Sequence, residues 1–200
     1  MPIITQNAAE QAIRPYINQF VEIVLAAFSD WLKNPYAAQM QTKSFRAHAV
    51  SNQMLVHAKR IFDTVDGVRV ASVPNYTGIL VGSDVFIRMK KADERMLSRN
   101  YPTKNALAFV DQEQELFGGL TRLELVYQLD DVGAEVERIV LMQRHKSSVV
   151  WTIDLFGSAP MVQNVLPFAP QIDDGSSSVA NRIVKPKRKT NREKQDVSTG

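Results

Sequence analysis

The sequence predicts an α+β protein in which an N-terminal helical hairpin packs on an antiparallel β-sheet and a disordered basic tail follows. Three observations support this fold class. Apolar residues recur every three or four positions before residue 65, apolar and polar residues alternate in segments between residues 67 and 156, and residues 171–200 are mostly polar.

The first predicted helix covers about residues 7–32. Thr5 or Asn7 is a suitable N-cap, because a side-chain oxygen there accepts hydrogen bonds from the first backbone N–H groups of a helix. The large apolar residues of this segment are three or four positions apart, which places them on one stripe of the helix. They are Ile13, Ile17, Phe20, Val24, Phe28 and Trp31.

The second predicted helix covers about residues 35–65. Asn34 followed by Pro35 indicates its start, since a proline in the first turn removes no intrahelical hydrogen bond. Its apolar stripe comprises Tyr36, Met40, Ala47, Val50, Met54, Ala58, Ile61 and Val65. The short "KNP" segment would then be the turn that closes the hairpin.

Segments rich in β-branched residues follow the Asp66-Gly67 turn, and they are mainly strands over residues 67–156. "VRVASV", "GILV" and "DVFIRMK" predict a small antiparallel meander, "KADERMLSRN" a short helix, and "ALAFV" a further strand. "TRLELVYQL" alternates most clearly and places Leu123, Leu125, Tyr127 and Leu129 on one face. "ERIVLMQ" and "SVVWTIDL" continue the sheet, the latter with Val149, Trp151, Ile153 and Leu155 on one face, and the helical hairpin is the natural cover for it.

Length and charge divide the chain into one domain and a tail. Its 200 residues fit a single α+β domain over residues 1–170, with residues 171–200 too polar to offset the entropy of ordering. Residues 182–200 contain seven basic and two acidic side chains, a net of +5. The remaining 17 basic and 19 acidic side chains leave residues 1–181 at −2, so the basic character belongs to the tail.

Composition excludes several classes of function. The chain has no cysteine, which rules out disulfides and thiolate chemistry and suits a reducing compartment. Charged and polar residues interrupt the first thirty positions, so these form neither a signal-peptide core nor a membrane span. The glycines form no phosphate-binding motif, and no serine lies in a nucleophile elbow. We expect a cytoplasmic protein with no cofactor and no membrane partner.

Metal-dependent chemistry is the enzymatic alternative. The three histidines lack the spacing of a zinc site, because His48 and His57 are nine positions apart and His145 lies in a predicted turn. Carboxylates from neighbouring strands, with a lysine nearby, are instead typical of metal-dependent nucleases. The candidates for such a catalytic site are Asp84, Lys90, Asp111 and Glu124. The alternative interpretation of these four is that they are solvated positions of ordinary strands and loops.

Nucleic acid is one candidate partner. The segment "VKPKRKTNREK" at residues 184–194 holds Lys185, Lys187, Arg188, Lys189, Arg192 and Lys194. Such a run neutralises phosphates without reading sequence, so it would act as an electrostatic arm, or alternatively as a solubilising tail. Arg144 and Lys146, at the tip of a predicted hairpin, are further candidate phosphate contacts.

A protein partner is the other candidate. "NYPTKNALAFVDQEQELFGGL" mixes Tyr101, Phe109 and Phe117 with turn residues, as a docking segment does, although burial against the sheet explains the same pattern. A homodimer formed through the first helix is a further option. We therefore expect a non-catalytic regulatory or inhibitory binding protein, such as an antitoxin-like or accessory module, with a tail that contacts nucleic acid. A metal-dependent nucleic-acid-processing enzyme and a sequence-independent nucleic-acid binder are the alternatives.

Overall fold

The helical region contains three helices in the computed structural model, which describes residues 3–40, 42–98 and 103–157. They are α1 (Gln6–Ile13), α2 (Ile17–Leu32) and α3 (Lys43–Phe62). Thr5 caps α1 by accepting a hydrogen bond from the Ala8 amide. A 3-10 turn at Arg14–Tyr16, which contains Pro15, separates α1 from α2. The single helix predicted over residues 7–32 is therefore interrupted, because proline has no N–H for the helical ladder.

The second arm of the hairpin begins later than predicted. Asn34 Oδ1 accepts a hydrogen bond from the Tyr36 amide at 2.9 Å, so the Asn34-Pro35 pair starts a turn and not a helix. A 3-10 turn at Ala37–Gln39 follows. Helix α3 then starts at Lys43, where the Thr42 hydroxyl caps it by accepting the Phe45 amide. The predicted start at residue 35 and the short "KNP" turn are thus wrong.

Helices α2 and α3 nevertheless form the predicted hairpin. The two helices are in contact through Phe20 of α2 and Phe62 of α3, whose rings pack edge to face with 5.8 Å between centroids. His57 Nε2 lies 2.7 Å from Asp30 Oδ2, which links the outer sides of the two helices. The predicted stripe of α2 is buried at Phe20, Val24, Phe28 and Trp31.

Six strands form one sheet in chain order, β1 to β6. Their bounds are β1 Val68–Val73, β2 Tyr76–Val81, β3 Val85–Lys91, β4 Thr121–Leu129, β5 Val136–His145 and β6 Ser148–Asp154. Every neighbouring pair is antiparallel, as predicted, except β3 and β4, which are parallel. A parallel pair requires a crossover, and residues 92–120 supply it.

The crossover differs from the sequence prediction at both of its elements. Residues 92–98 form a turn closed by a bridge between Ala92 and Ser98, and not the predicted short helix. The "ALAFV" segment belongs to helix α4 (Lys104–Val110) and not to a strand. Thr103 caps α4 by accepting the Ala106 amide. Short apolar runs fit a strand and a buried helix equally well, and here the cap residue decided between them.

The two faces of the sheet have different covers. The helical hairpin covers one face, as predicted, and the core there includes Leu123, Leu125, Tyr127 and Leu129 of β4. The crossover contacts the other face, where Phe86 of β3 packs with Phe109 and Val110 of α4. Val149 is exposed, contrary to the predicted face of β6, because the β5–β6 register shifts between Gln143 and Arg144. The structure thus confirms an α+β fold in which a helical hairpin packs on a mostly antiparallel sheet.

No helix within the described parts of residues 3–157 has the length and apolar character that crossing a bilayer requires. The predicted domain end at residue 170 and the predicted disordered tail over residues 171–200 lie outside the described residues.

Candidate functional site

The polar side of β4, which alternation placed away from the hairpin, is almost fully buried beneath the crossover. Arg122 is 1% exposed. Its Nη1 donates to the Ala108 carbonyl at 2.7 Å, and its Nη2 donates to the carbonyls of Asp111 and Gln114 at 2.8 Å each. One guanidinium thus donates to three backbone carbonyls of the crossover, two of which, those of Ala108 and Asp111, also accept backbone N–H groups. These three contacts tie the crossover to β4 and engage both Nη atoms, while Nε is buried without a hydrogen-bond partner among the described residues.

Glu124, the next residue on this side of β4, is bound by two partners. Ser98 Oγ donates to its Oε1 at 2.9 Å, and Arg144 Nη1 lies 3.3 Å from its Oε2. Arg144 Nη1 also donates to Ser98 Oγ at 3.1 Å. Both carboxylate oxygens are therefore engaged, and Glu124 is 1% exposed. This three-residue network joins the crossover to β4 and β5.

A second charged group lies where the crossover meets the β5–β6 turn. One ligand atom from each of Asp111, Glu113 and His145 lies within 4.8 Å of the others, an arrangement that a metal ion could use. Lys146 Nζ already lies 2.7 Å from Glu113 Oε2. His145 Nδ1 accepts the Gln112 amide at 3.3 Å, which puts the proton of a neutral ring on Nε2, facing Glu113. A metal at Nε2 would have to displace that proton and the lysine.

Arg88 and Lys90 form a third group, on the crossover side of β3. Arg88 pairs in register with Glu124 across the parallel β3–β4 ladder. Its guanidinium lies 4.4 Å from the ring centroid of Phe109 and 5.3 Å from that of Tyr76. Burial lowers the pKa of Lys90, the charge of Arg88 lowers it further, and Glu124 opposes both effects. Burial likewise lowers the pKa of Arg88, with Glu124 opposing.

Two cavities adjoin Lys90. The smaller, of about 110 Å³, lies between α3, the β1–β2 turn and the end of β3, and we call it the Arg88 cavity. Its lining includes Ser51, Asn75, Thr77, Arg88 and Lys90. The larger, of about 500 Å³, lies between the first turns of α3, the ends of β3 and β4 and the β4–β5 turn, and we call it the α3 groove. Its lining includes His48, Lys91, Asp93 and Asp130, and it shares Ser51 and Lys90 with the Arg88 cavity.

The four residues of the alternative catalytic site are not gathered at one point. Asp84 is exposed and precedes β3, whereas Lys90 is near the other end of that strand. Six residues of β-strand span about 20 Å. Glu124 is bound by Ser98 and Arg144, and Asp111 belongs to the group at the β5–β6 turn. Arg88, which the sequence interpretation did not select, pairs in register with Glu124 and lies two positions from Lys90 on β3.

The predicted partner-binding residues have separate locations. Tyr101 lies outside the described residues, and Phe117 belongs to a 3-10 turn at Phe117–Gly119. Phe109 is 1% exposed, because it packs between Phe86 and Arg88, so its ring presents almost no surface to a partner.

The predicted nucleic-acid contacts lie partly beyond the described chain. Lys185, Lys187, Arg188, Lys189, Arg192 and Lys194 are all outside the described residues. Arg144 is held by Glu124 and retains little exposed side chain. Lys146 is exposed at the β5–β6 turn but is paired with Glu113, whose hydrogen bond is the main cause of its raised pKa. Neither described cation is thus an uncommitted phosphate contact.

Four exposed apolar residues occur within residues 32–45, the part of the chain where the hairpin closes. Leu32 ends α2, Tyr36 and Met40 lie in the connection, and Phe45 is in the first turn of α3. All four are exposed, Tyr36 most of all at 60%. We call them the hairpin-end surface. The sequence interpretation missed it, because it assigned Tyr36 and Met40 to the buried stripe of a helix that actually starts at Lys43.

Arg88 was missed for a different reason. In "VFIRMK" the two cations are two positions apart and flank an apolar residue, so the pattern predicts that they share one face of a strand. The alternation does not show that the face bearing the cations is covered by the crossover. Comparison with known proteins adds no assignment, since no family model, curated protein or solved structure matches this chain.

Proposed function

We propose that this chain is a non-catalytic binding protein that regulates or masks another protein through the hairpin-end surface. The main support for this proposal is that four large apolar side chains, two of them aromatic and one methionine, are exposed at the closed end of the hairpin. Aromatic residues and methionine are enriched at protein interfaces, where their burial supplies most of the binding energy. Keeping such side chains in water has no benefit for folding.

The surroundings of this surface support the same proposal. The Trp31 and Phe45 rings lie 6.2 Å apart, so the exposed Phe45 lies beside Trp31, a buried residue of α2. Arg46 donates to the Gly133 carbonyl at 2.9 Å, which ties the β4–β5 turn to the start of α3. Val132 in that turn is 83% exposed. The start of α3, which carries Phe45, is therefore fixed by contacts with α2 and with the β4–β5 turn, and this lowers the entropy cost of binding.

The polar residues of the described chain favour binding over catalysis. Arg122 and Glu124, the most deeply buried charged side chains, are occupied by the protein's own backbone and by Ser98 and Arg144. The basic tail, with its six cations in residues 184–194, would add sequence-independent contacts to nucleic acid near the partner.

The test uses the full-length chain in three variants. Tyr36→Ser with Met40→Ser removes two members of the hairpin-end surface that lie outside any α-helix. Leu107→Ser, at an equally exposed apolar residue of α4, is the matched control. In the third variant the six tail cations become glutamine. Each tagged protein is used to capture partners from nuclease-treated lysate, with mass spectrometry as the readout.

The proposal requires a single stoichiometric protein that is lost with the Tyr36/Met40 variant and kept by the other two. Loss with the tail variant alone would instead support a sequence-independent nucleic-acid binder. Light scattering after gel filtration separates a further case. A doubled mass that the Tyr36/Met40 variant abolishes would identify the partner as a second copy of this chain.

A metal-dependent nucleic-acid-processing enzyme is the second candidate, favoured by the proximity of Asp111, Glu113 and His145. If it is correct, Mn²⁺ should bind in calorimetry and stimulate cleavage of a labelled oligonucleotide, and Asp111→Asn should abolish both. The ion pair between Lys146 and Glu113 allows a second test of this candidate. Lys146→Gln should tighten Mn²⁺ binding, because it removes the competing cation.

A further inference from the structure

Two cations on the crossover side of β3 have no counter-ion of their own among the described residues. Arg88 and Lys90 alternate with the core residues Ile87 and Met89, so they share one face of the strand. Glu124 is the nearby acidic group, but Ser98 and Arg144 occupy both of its oxygens. Buried charges are normally paired, because removing a charge from water costs several kcal/mol, on the order of the stability of a small domain.

Arg88 retains hydrogen-bonding capacity although it is 8% exposed. The rings of Phe109 and Tyr76 lie against its guanidinium, and such contacts use the flat face of the group. The N–H donors point outward in the plane and need acceptors. Nη1 is buried and has no hydrogen-bond partner within the described chain. Stacked in this way, the guanidinium is fixed in one orientation, ready for an acceptor.

The Arg88 cavity provides space for that acceptor. Its volume of about 110 Å³ is enough for one oxyanion group. Ser51 of α3, Asn75 of the β1–β2 turn and Thr77 of β2 add neutral hydrogen-bonding groups to the lining. The lining thus combines two cations with hydroxyl and amide residues, the residue types that bind a tetrahedral anion.

The α3 groove continues from this cavity, because Lys90 and Ser51 line both. Its volume of about 500 Å³ is within the usual range for small-molecule sites, about 300–1,000 Å³. It also lies at the carboxyl ends of the parallel strands β3 and β4, the edge at which ligands bind in open sheets with parallel strands. The groove therefore has room for the organic part of a ligand whose anionic end is held by Arg88 and Lys90.

We propose that the Arg88 cavity binds the phosphate group of a small phosphomonoester, with Arg88 and Lys90 as the charged contacts and the organic part in the α3 groove. This site is distinct from the hairpin-end surface and does not depend on the protein partner. The lowered pKa of Lys90, caused first by burial and then by Arg88, agrees with two cations placed together before an anion arrives.

The experiment is calorimetric titration of the full-length protein with three probes: inorganic phosphate, ribose 5-phosphate and ribose. Lys90→Met and Arg88→Met are the test variants, and Arg138→Met, which removes an exposed cation of β5, is the matched control. Thermal unfolding of each variant without ligand is measured in parallel. Lys90→Met should unfold at the same or a higher temperature than the wild type, because it removes a half-buried charge without a partner.

We expect saturable phosphate binding that Lys90→Met weakens at least tenfold while Arg138→Met leaves it unchanged. If ribose 5-phosphate binds at least tenfold more tightly than phosphate, and ribose does not bind, the organic part is recognised as proposed. Equal affinity for the two phosphates keeps the anion site and overturns the role of the α3 groove. Undetectable phosphate binding, or binding that survives Lys90→Met in a folded protein, overturns the whole proposal. Arg88→Met is interpreted only if it folds, and Lys90→Met decides the outcome without it.

Discussion

The two faces of the sheet are stabilised in different ways. The face beneath the hairpin is covered by apolar side chains, among them Phe20 and Met54 at 0% exposure. The face beneath the crossover carries Arg88, Arg122 and Glu124, each at most 8% exposed. Both faces are thus buried. The hairpin face depends on apolar packing, whereas the crossover face combines apolar packing, such as that of Phe86 with Phe109, with hydrogen bonds to charged groups.

The nature of each cover explains this difference. Helices satisfy their own backbone groups, so a hairpin can lie on an apolar face and needs only side-chain packing. The described part of the crossover contains turns as well as α4, and its carbonyls at Ala108, Asp111 and Gln114 accept hydrogen bonds from a donor on the sheet. Arg122 is that donor. A polar face on a buried strand is therefore a consequence of a cover that contains turns, as well as a possible sign of a functional site.

The largest expected effect concerns the hairpin side. Phe20→Ala should lower the free energy of unfolding by about 3–5 kcal/mol, because it leaves a cavity in a fully buried core. Urea unfolding followed by circular dichroism measures the loss. Leu25→Ala in the same helix, at a residue that is 39% exposed, should cost less than about 1 kcal/mol. Equal losses for the two variants would contradict the assignment of the buried stripe.

On the crossover side, Arg122→Met should lower the free energy of unfolding by about 3 kcal/mol, because three backbone carbonyls lose the buried, charged donor that joins the crossover to β4. Its control is Arg138→Met. Arg138 pairs with Asp154 at 3.7 Å, with both side chains about half exposed, so its loss should change stability by about 0.5 kcal/mol at most. A small effect of Arg122→Met in urea unfolding would mean that the crossover does not depend on the sheet.

A smaller loss of stability is expected at Gly78 of β2, where the backbone passes close to β3. A methyl group at Gly78 would overlap the Ile87 carbonyl and the Phe86 ring, so Gly78→Ala should lower stability by about 1–3 kcal/mol. Gly157 has open space around it, and Gly157→Ala should be near neutral. The melting temperatures of the two variants, compared with that of the wild type, provide the measurement. An unchanged melting temperature for Gly78→Ala would show that β2 and β3 can separate at this position.

The smallest predicted effect is a gain. Gln143 is 0% exposed and lies opposite Trp151, and neither its Oε1 nor its Nε2 has a hydrogen-bond partner within the described chain. Gln143→Met should raise the free energy of unfolding by about 1 kcal/mol, since it removes a buried amide without partners. Gln128→Met, on the neighbouring strand and less buried, should change little. A loss of stability in the urea titration would show that the amide is bonded in solution.

The sequence was informative where a local pattern had one physical solution. The stripe of α2 and the alternation of β4 each fit a single element, and both are confirmed. It failed where two solutions were equally good. "ALAFV" suits a strand or a short helix, and Asn34-Pro35 starts a helix or a turn, so neighbouring contacts decided both cases.

The candidate site was predictable only in part. Lys90 was selected from the sequence, but its neighbour Arg88 was not, and Tyr36 and Met40 of the hairpin-end surface were mistaken for core. Exposure cannot be read from apolar character alone, because it depends on where a helix begins and what lies above it. Asp84 and Lys90 were proposed for one catalytic site from opposite ends of a predicted strand, and the extended strand β3 keeps them apart.

By itself, the sequence determined the α+β class, the helical hairpin, most of the strands and the concentration of basic charge in residues 182–200. Periodicity and charge are local properties, and local patterns are sufficient for these features. Only the tertiary structure decided that β3 and β4 run parallel, that the crossover buries the charged face of β4, and that Arg88 and Lys90 share a cavity. Each of these depends on contacts between residues far apart in the chain, for which no short segment carries the pattern.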